Sequence, residues 1–209
     1  MNVPQVSQQQ QWDCGIACVY MALLSVGIDT SYQKLMDLVQ TKSVWTVDLC
    51  RVLSHFKVEF FLYTLTAQAD ASQYRSMPFY CEELDNDTNR VNSLFPILHK
   101  RVITASLSLT QFLNELHGNI AIVLVDSSVL KTSPGSWLID KIGGRNYIGH
   151  YILVVDYDQK SREFIYRDPS CQYSCWFRLS ELDFERARKS KGTDEDVVMI
   201  PISKHRASI

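Results

Sequence analysis

The chain has 209 residues, 46% of them hydrophobic and 21% charged, with a formal net charge of −2. That length suffices for one domain with a sizeable core, and 1–209 is read as one. A chain so close to neutral lacks the basic surface that nucleic-acid binding needs, and its longest apolar run, "NIAIVLV" at 119–125, is strand-sized rather than membrane-spanning.

The opening "MNVPQVSQQQQ" is polar and has no apolar core of a secretory signal. The expected compartment is the cytosol or nucleus, where the six cysteines stay reduced. The first clear helix runs from about Asp13 to Val26. Ile16, Val19, Tyr20, Leu23 and Leu24 fall on one 3.6-period stripe, Asp13 is the expected N-cap and Gly27 the stop. A second helix covers about 31–40, and a third starts at "TVDLCRVLSHF" with Thr46 as its N-cap. "VEFFLYTL" (58–65) reads as a strand.

Residues 66–90 are polar and read as irregular. "RVNSLFPILHK" (90–100) is helical and "RVITASL" extended. "SLTQFLNELHG" (108–118) starts at a Ser/Thr cap and ends at Gly118, so it is a helix. "IAIVLVD" (120–126) is a strand buried on both faces. A long loop with Pro134, Gly135, Gly143 and Gly144 follows, and such loops often border sites. "HYILVVDYD" (150–158) and "REFIYRDP" (162–169) are two strands joined by a short turn; "LSELDFERARKS" is a late helix and "DVVMIPI" a last strand. Helices first and an antiparallel sheet later make the class α+β.

Cys14 opens the first helix. Unsatisfied N–H groups and the positive end of the helix dipole favour a thiolate there. Gly15 would let a substrate backbone approach. A core cysteine is the alternative, as it is for Cys18 on the same helix. A thiolate nucleophile needs a base, and the base needs an orienting group. His55, His99, His117 and His205 lie on predicted helices or in the tail. His150 opens a strand after the Gly-rich loop. With a turn at 158–160, His150 stands opposite Asp168 on one face of the hairpin. A carboxylate there would hold one ring nitrogen and aim the other at Cys14; a cross-strand ion pair is the plainer alternative. The second oxyanion donor beside the Cys14 N–H would be a side-chain amide, and Gln8 lies six residues upstream.

These residues resemble the papain-like cysteine proteases, in which a Gln precedes the nucleophilic Cys by six residues and a His and an Asn or Asp lie on later strands. "Q-x4-DCG-x-A", matched by Gln8, Asp13, Cys14, Gly15 and Ala17, is more similar to the bacteriocin-processing double-glycine peptidases. "WDCGIAC", "WTVDL" (45–49), "RVNSLF" (90–95), "AIVLVDSSVL" (121–130), "GHYILVVDYD" and "GTDEDVVMI" (192–200) resemble the guanylyl cyclase domain-containing protein 1 family along nearly the whole chain. The papain-type resemblance implies an α+β fold with N-terminal helices packed on an antiparallel sheet and the site in the cleft between. It implies Cys14 as nucleophile, His150 as base, Asp168 as orienter and Gln8 as oxyanion donor. Gln9–Gln11 compete with Gln8.

The cyclase resemblance implies another chemistry, GTP to cyclic GMP, for which nucleotide cyclases hold two divalent metals on paired aspartates. The acidic run Asp194, Glu195 and Asp196 reads as solvated charge. There is no P-loop, and "KIGGR" (141–145) is a weak phosphate signal. Cys14/Cys18 and Cys171/Cys175 are two C-x3-C pairs, a rival zinc reading; such pairs more often have two intervening residues. Trp12, Trp45, Trp137 and Trp176 read as core and groove-wall residues. The sequence therefore points to a cysteine-nucleophile hydrolase acting on a peptide or protein substrate without metal or cofactor. A guanylyl cyclase and a non-catalytic binding module are the alternatives.

Overall fold

The computed structural model describes residues 3–74, 84–130 and 147–202. The loop with Pro134, Gly135, Gly143 and Gly144, and with it Trp137 and "KIGGR", lies outside them, as do Cys81 and His205. Helix α1 (Cys14–Ser25) ends as its sequence demands: Gly27 has φ +80° and the Ile28 N–H bonds the Leu23 carbonyl at 2.9 Å. The expected single stripe understates its burial. Cys14 to Val19 and Met21 to Leu23 are all buried, because neighbours cover it on several sides. Those neighbours include α2 (Tyr32–Val39), capped by the Ser31 hydroxyl, and α3 (Thr46–His55).

Thr46 is not the N-cap of α3. Trp45 holds that position, and its N–H donates to the Asp48 carboxylate at 2.9 Å. The stretch expected to be irregular contains the short α4 (Ala71–Tyr74) and the start of α5 (Leu84–Leu98), which ends in a 3-10 turn over His99–Arg101. Ser108 caps α6 (Leu109–Leu116), α7 (Ser127–Leu130) is one turn, and α8 is Glu181–Arg188.

Among the described residues seven strands form one sheet: β1 (Phe61–Thr64), β2 (Val102–Thr104), β3 (Asn119–Asp126), β4 (Gly149–Asp158), β5 (Glu163–Arg167), β6 (Phe177–Ser180) and β7 (Val197–Pro201), in the order β2-β1-β7-β3-β4-β5-β6. The sheet is not wholly antiparallel: β1 and β2 run parallel. β6 follows a polar, cysteine-containing loop and carries no clear strand period in the sequence.

Alternate residues of the central strands enter two cores. Ile120, Ile122, Leu124, Tyr151, Leu153 and Val155 pack with α1, α2 and α3. Ala121, Val123, Val125, Ile152 and Val154 pack with Phe112 of α6 and Phe184 of α8. The architecture is α+β, with helices covering both faces of the sheet rather than one. Among the described residues no helix is long and apolar enough to cross a membrane.

Candidate functional site

The hairpin β4–β5 sets the geometry. Asp158 pairs with Glu163, so the turn spans 159–162 rather than 158–160. Taken alone, that register would put Cys171 opposite His150 and set Asp168 on the other face. A bulge between Val154 and Asp156 shifts the ladder, so that Val154 meets Tyr166 and Leu153 meets Arg167. The ladder ends there, and Asp168 follows directly after β5. His150 Nε2 lies 2.9 Å from Asp168 Oδ1.

The Cys14 thiol is the other group that acts on the imidazole, and Nε2 is already taken by Asp168. Burial by itself drives the His150 pKa down. Hydrogen bonds and charge from Asp168 and Cys14 outweigh it and hold the ring up at about 9. Burial would likewise raise the Asp168 carboxyl. The His150 contact and two donors from Ser170, its N–H at 2.8 Å and its hydroxyl at 2.7 Å, bring it below its ordinary value instead. Sequence reasoning missed Ser170, although an Asp-Pro-Ser step is a turn signal in which the carboxylate accepts from the backbone two residues on.

Asp13 is the N-cap residue of α1 as expected, but its side chain makes no capping hydrogen bond. Its carboxylate turns back to accept the N–H groups of Gln9 and Gln10 at 3.0–3.3 Å, and no side chain caps the helix start. The glutamine tract thus folds over the end of the helix that carries Cys14. The Gln8 N–H donates to the Pro169 carbonyl at 2.8 Å, one residue beyond Asp168. Its side-chain Nε2 donates to the Gln10 carbonyl at 2.7 Å, and its Oε1 is buried without a partner. Gln8 therefore sits beside the Asp168 turn, with one amide hydrogen already engaged.

Gly15 serves packing rather than substrate approach. A Cβ there would lie 2.9 Å from both Leu49 Cδ1 and Tyr151 Cδ2. The Tyr151 hydroxyl is 2.9 Å from Thr46 Oγ1, which in turn bonds Asp196. Cys18 is fully buried, and burial, with the charges of Cys14 and Asp168, pushes its thiol well above the ordinary range.

The acidic trio is not a solvated run. Tyr74 donates to Asp194, Ser106 to Glu195 at 2.6 Å, and Thr46 to Asp196. Desolvation, aided by the Asp194 charge, raises Asp196 to about 7. Among the described residues no three His, Cys, Asp or Glu side chains gather as metal ligands. The C-x3-C thiols at 14, 18, 171 and 175 are all free.

Fold and site together define an α+β protein with a cysteine at the start of a buried helix and a hydrogen-bonded imidazole–carboxylate pair on its sheet side. Residues 3–200 match the family described as guanylylate cyclase, and the chain belongs to that family. It is 39% identical over 218 residues to Guanylyl cyclase 1 of Arabidopsis thaliana, covering 99% of this chain and 78% of that protein. The peptidase domain of Streptococcus ComA, a bi-functional ABC transporter of a quorum-sensing pathway, is similar at a TM-score of 0.49 and 14% identity, covering 96% of this chain and 99% of that one.

Proposed function

We propose that the protein is a papain-like thiol hydrolase acting on a peptide or related amide, with Cys14 as nucleophile. The observation that carries this reading is the 2.9 Å contact between His150 Nε2 and Asp168 Oδ1, with Cys14 near enough to act on the same ring. His150 takes the thiol proton, and the sulfur attacks the acyl carbonyl. Asp168 holds the ring orientation and stabilises the imidazolium. His150 then protonates the leaving amine, and water releases the acyl group. The uncapped Cys14 N–H is one oxyanion donor. Gln8 supplies the second through its remaining amide hydrogen.

The name of the Arabidopsis relative favours a second reading, conversion of GTP to cyclic GMP. That chemistry calls for carboxylates free to bind divalent metal. Asp194, Glu195 and Asp196 do not fit, since each is engaged by a protein hydroxyl. One paired assay separates the readings: a covalent cysteine probe and peptide substrates on one side, GTP with Mn²⁺ on the other. Selective labelling of Cys14 and amide turnover are expected. Cyclic GMP formation that survives Cys14→Ala but is lost in Asp194→Ala or Asp196→Ala would replace this reading with the cyclase. Silence in both assays would favour a binding module.

A further inference from the structure

Of the described cysteines, Cys14, Cys18 and Cys50 are buried, while Cys171 and Cys175 are partly exposed. The two exposed sulfurs lie 3.0 Å apart, and each also lies 3.4 Å from the Tyr173 carbonyl. A disulfide holds its sulfurs at about 2.0 Å, so closure asks for an approach of about 1 Å. Arg167 flanks the pair. Its Nη1 donates to the Cys175 carbonyl at 2.8 Å, and its guanidinium stacks on Trp176 at 3.5 Å. The hydrogen bond shared with Cys171 holds the Cys175 thiol above its ordinary pKa, and the Arg167 charge opposes that rise. Burial pushes the Cys18 and Cys50 thiols well up, which leaves them inert by comparison.

The pair is built into the turn that bears Asp168. The Cys171 N–H donates to the Asp168 carbonyl at 3.1 Å. The Cys171 carbonyl accepts from Ser7 Oγ at 2.7 Å and Gln5 Nε2 at 3.2 Å, and Gln5 Nε2 also reaches the Asp168 carbonyl at 2.7 Å.

We propose that Cys171 and Cys175 are a redox-active dithiol that closes reversibly into a disulfide and staples the turn carrying Asp168. The oxidant is a low-molecular-weight disulfide of the glutathione class. The Cys175 thiolate attacks one sulfur of that disulfide, its S–S bond breaks, and one thiolate leaves. The Cys171 thiolate then attacks Cys175 Sγ of the mixed disulfide, forms the internal bond and expels the second thiolate. The protons of the two cysteines end on the two released thiols. Transient closure of this kind is the usual form of a disulfide in a reducing compartment.

The inference does not require Cys14 to be a nucleophile. The test incubates the purified full chain with oxidised glutathione, maps the peptides by mass, and follows hydrogen exchange at the Ser170 and Cys171 amides. A loss of two hydrogens on the peptide pair is expected, reversed by dithiothreitol. Cys171→Ser and Cys175→Ser should instead accumulate a glutathione adduct on the remaining cysteine. Oxidation should slow exchange at both amides. Two thiols that stay alkylatable, or that each carry glutathione, overturn the proposal. A disulfide formed with unchanged exchange overturns the staple. Probe labelling of Cys14 on the same samples reports on the hydrolase reading separately.

Discussion

His150 Nε2 and Asp168 Oδ1 lie 2.9 Å apart, joining the start of β4 to the turn that follows β5. The hairpin between them changes register at a bulge between Val154 and Asp156.

The first prediction concerns the reacting groups. Cys14→Ala should abolish amide hydrolysis, and His150→Ala should lower it by about 10²–10⁴-fold. The double variant should be no slower than Cys14→Ala, because the two act as one unit. Asp168→Asn should do less harm, since an amide oxygen still accepts from the ring. Steady-state kinetics on one peptide substrate would check this, and additive losses would break the assignment.

The second concerns pH. His150 is held at about 9, above the 6.5 of a free imidazole. Its contribution to stability is complete below the unfolded value and is lost as pH rises through about 9. Urea midpoints of the wild type should fall between pH 7 and pH 9.5, and His150→Gln should flatten that slope. A slope unchanged in the variant would remove His150 as its source.

Asp196 gives the third. Its carboxyl is raised to about 7, chiefly by desolvation. A raised carboxyl favours the fold at low pH and penalises it once it must ionise, so stability should decline from about pH 4 through about 7. Asp196→Asn keeps an acceptor for Thr46 and removes the ionisation. It should match wild type below about pH 4 and exceed it by a margin that grows up to about pH 7 in thermal melts. A variant less stable at both values would show that the charged form is the favoured one.

The fourth tests packing under the nucleophile. Gly15→Ala gains about 1 kcal/mol of helix propensity. The new methyl group would press on Leu49 and on Tyr151, whose ring is tethered by its hydroxyl to Thr46. Overpacking costs about 1–3 kcal/mol, so a net loss of stability is expected in chemical denaturation. A gain would mean that Leu49 and Tyr151 yield freely.

The fifth addresses a buried ion network. Arg90 bridges Asp48 and Asp87, whose side chains are almost wholly buried, and Trp45 Nε1 donates to Asp87 at 3.0 Å. Removing the cation strands two carboxylates. Arg90→Ala should cost about 3 kcal/mol. Asp48→Asn in the same background should recover part of that loss, which a double-mutant cycle would read directly.

Much of this was legible in the sequence, for identifiable reasons. The continuous apolar runs of β3, β4 and β7 and the cap at Ser108 are local signals, and local signals survive folding. His150 and Asp168 could be paired because both lie near the open end of one hairpin, although the turn was misplaced and the bulge unseen. Asp13 looked like a cap, but the Gln9 and Gln10 amides compete for its carboxylate. Asp194, Glu195 and Asp196 looked solvated. Their partners Tyr74, Ser106 and Thr46 lie far away in the chain, and no short window reveals them. β6 stayed hidden for a related reason: its pairing with β5, not its own composition, makes it a strand.

The place of β7 has a bearing on how the chain is made. This strand, residues Val197–Pro201, lies between β1 and β3 and is hydrogen-bonded to both. Until the ribosome has released it, the ribbon of β1 and β2 has no ladder to the ribbon of β3, β4, β5 and β6. Two sheet fragments then present open edges to the crowded interior of the cell, where unpaired backbone invites wrong partners. The nascent protein depends on whatever shields those edges while translation finishes, and a stop codon shortly before residue 197 would leave both fragments permanently open.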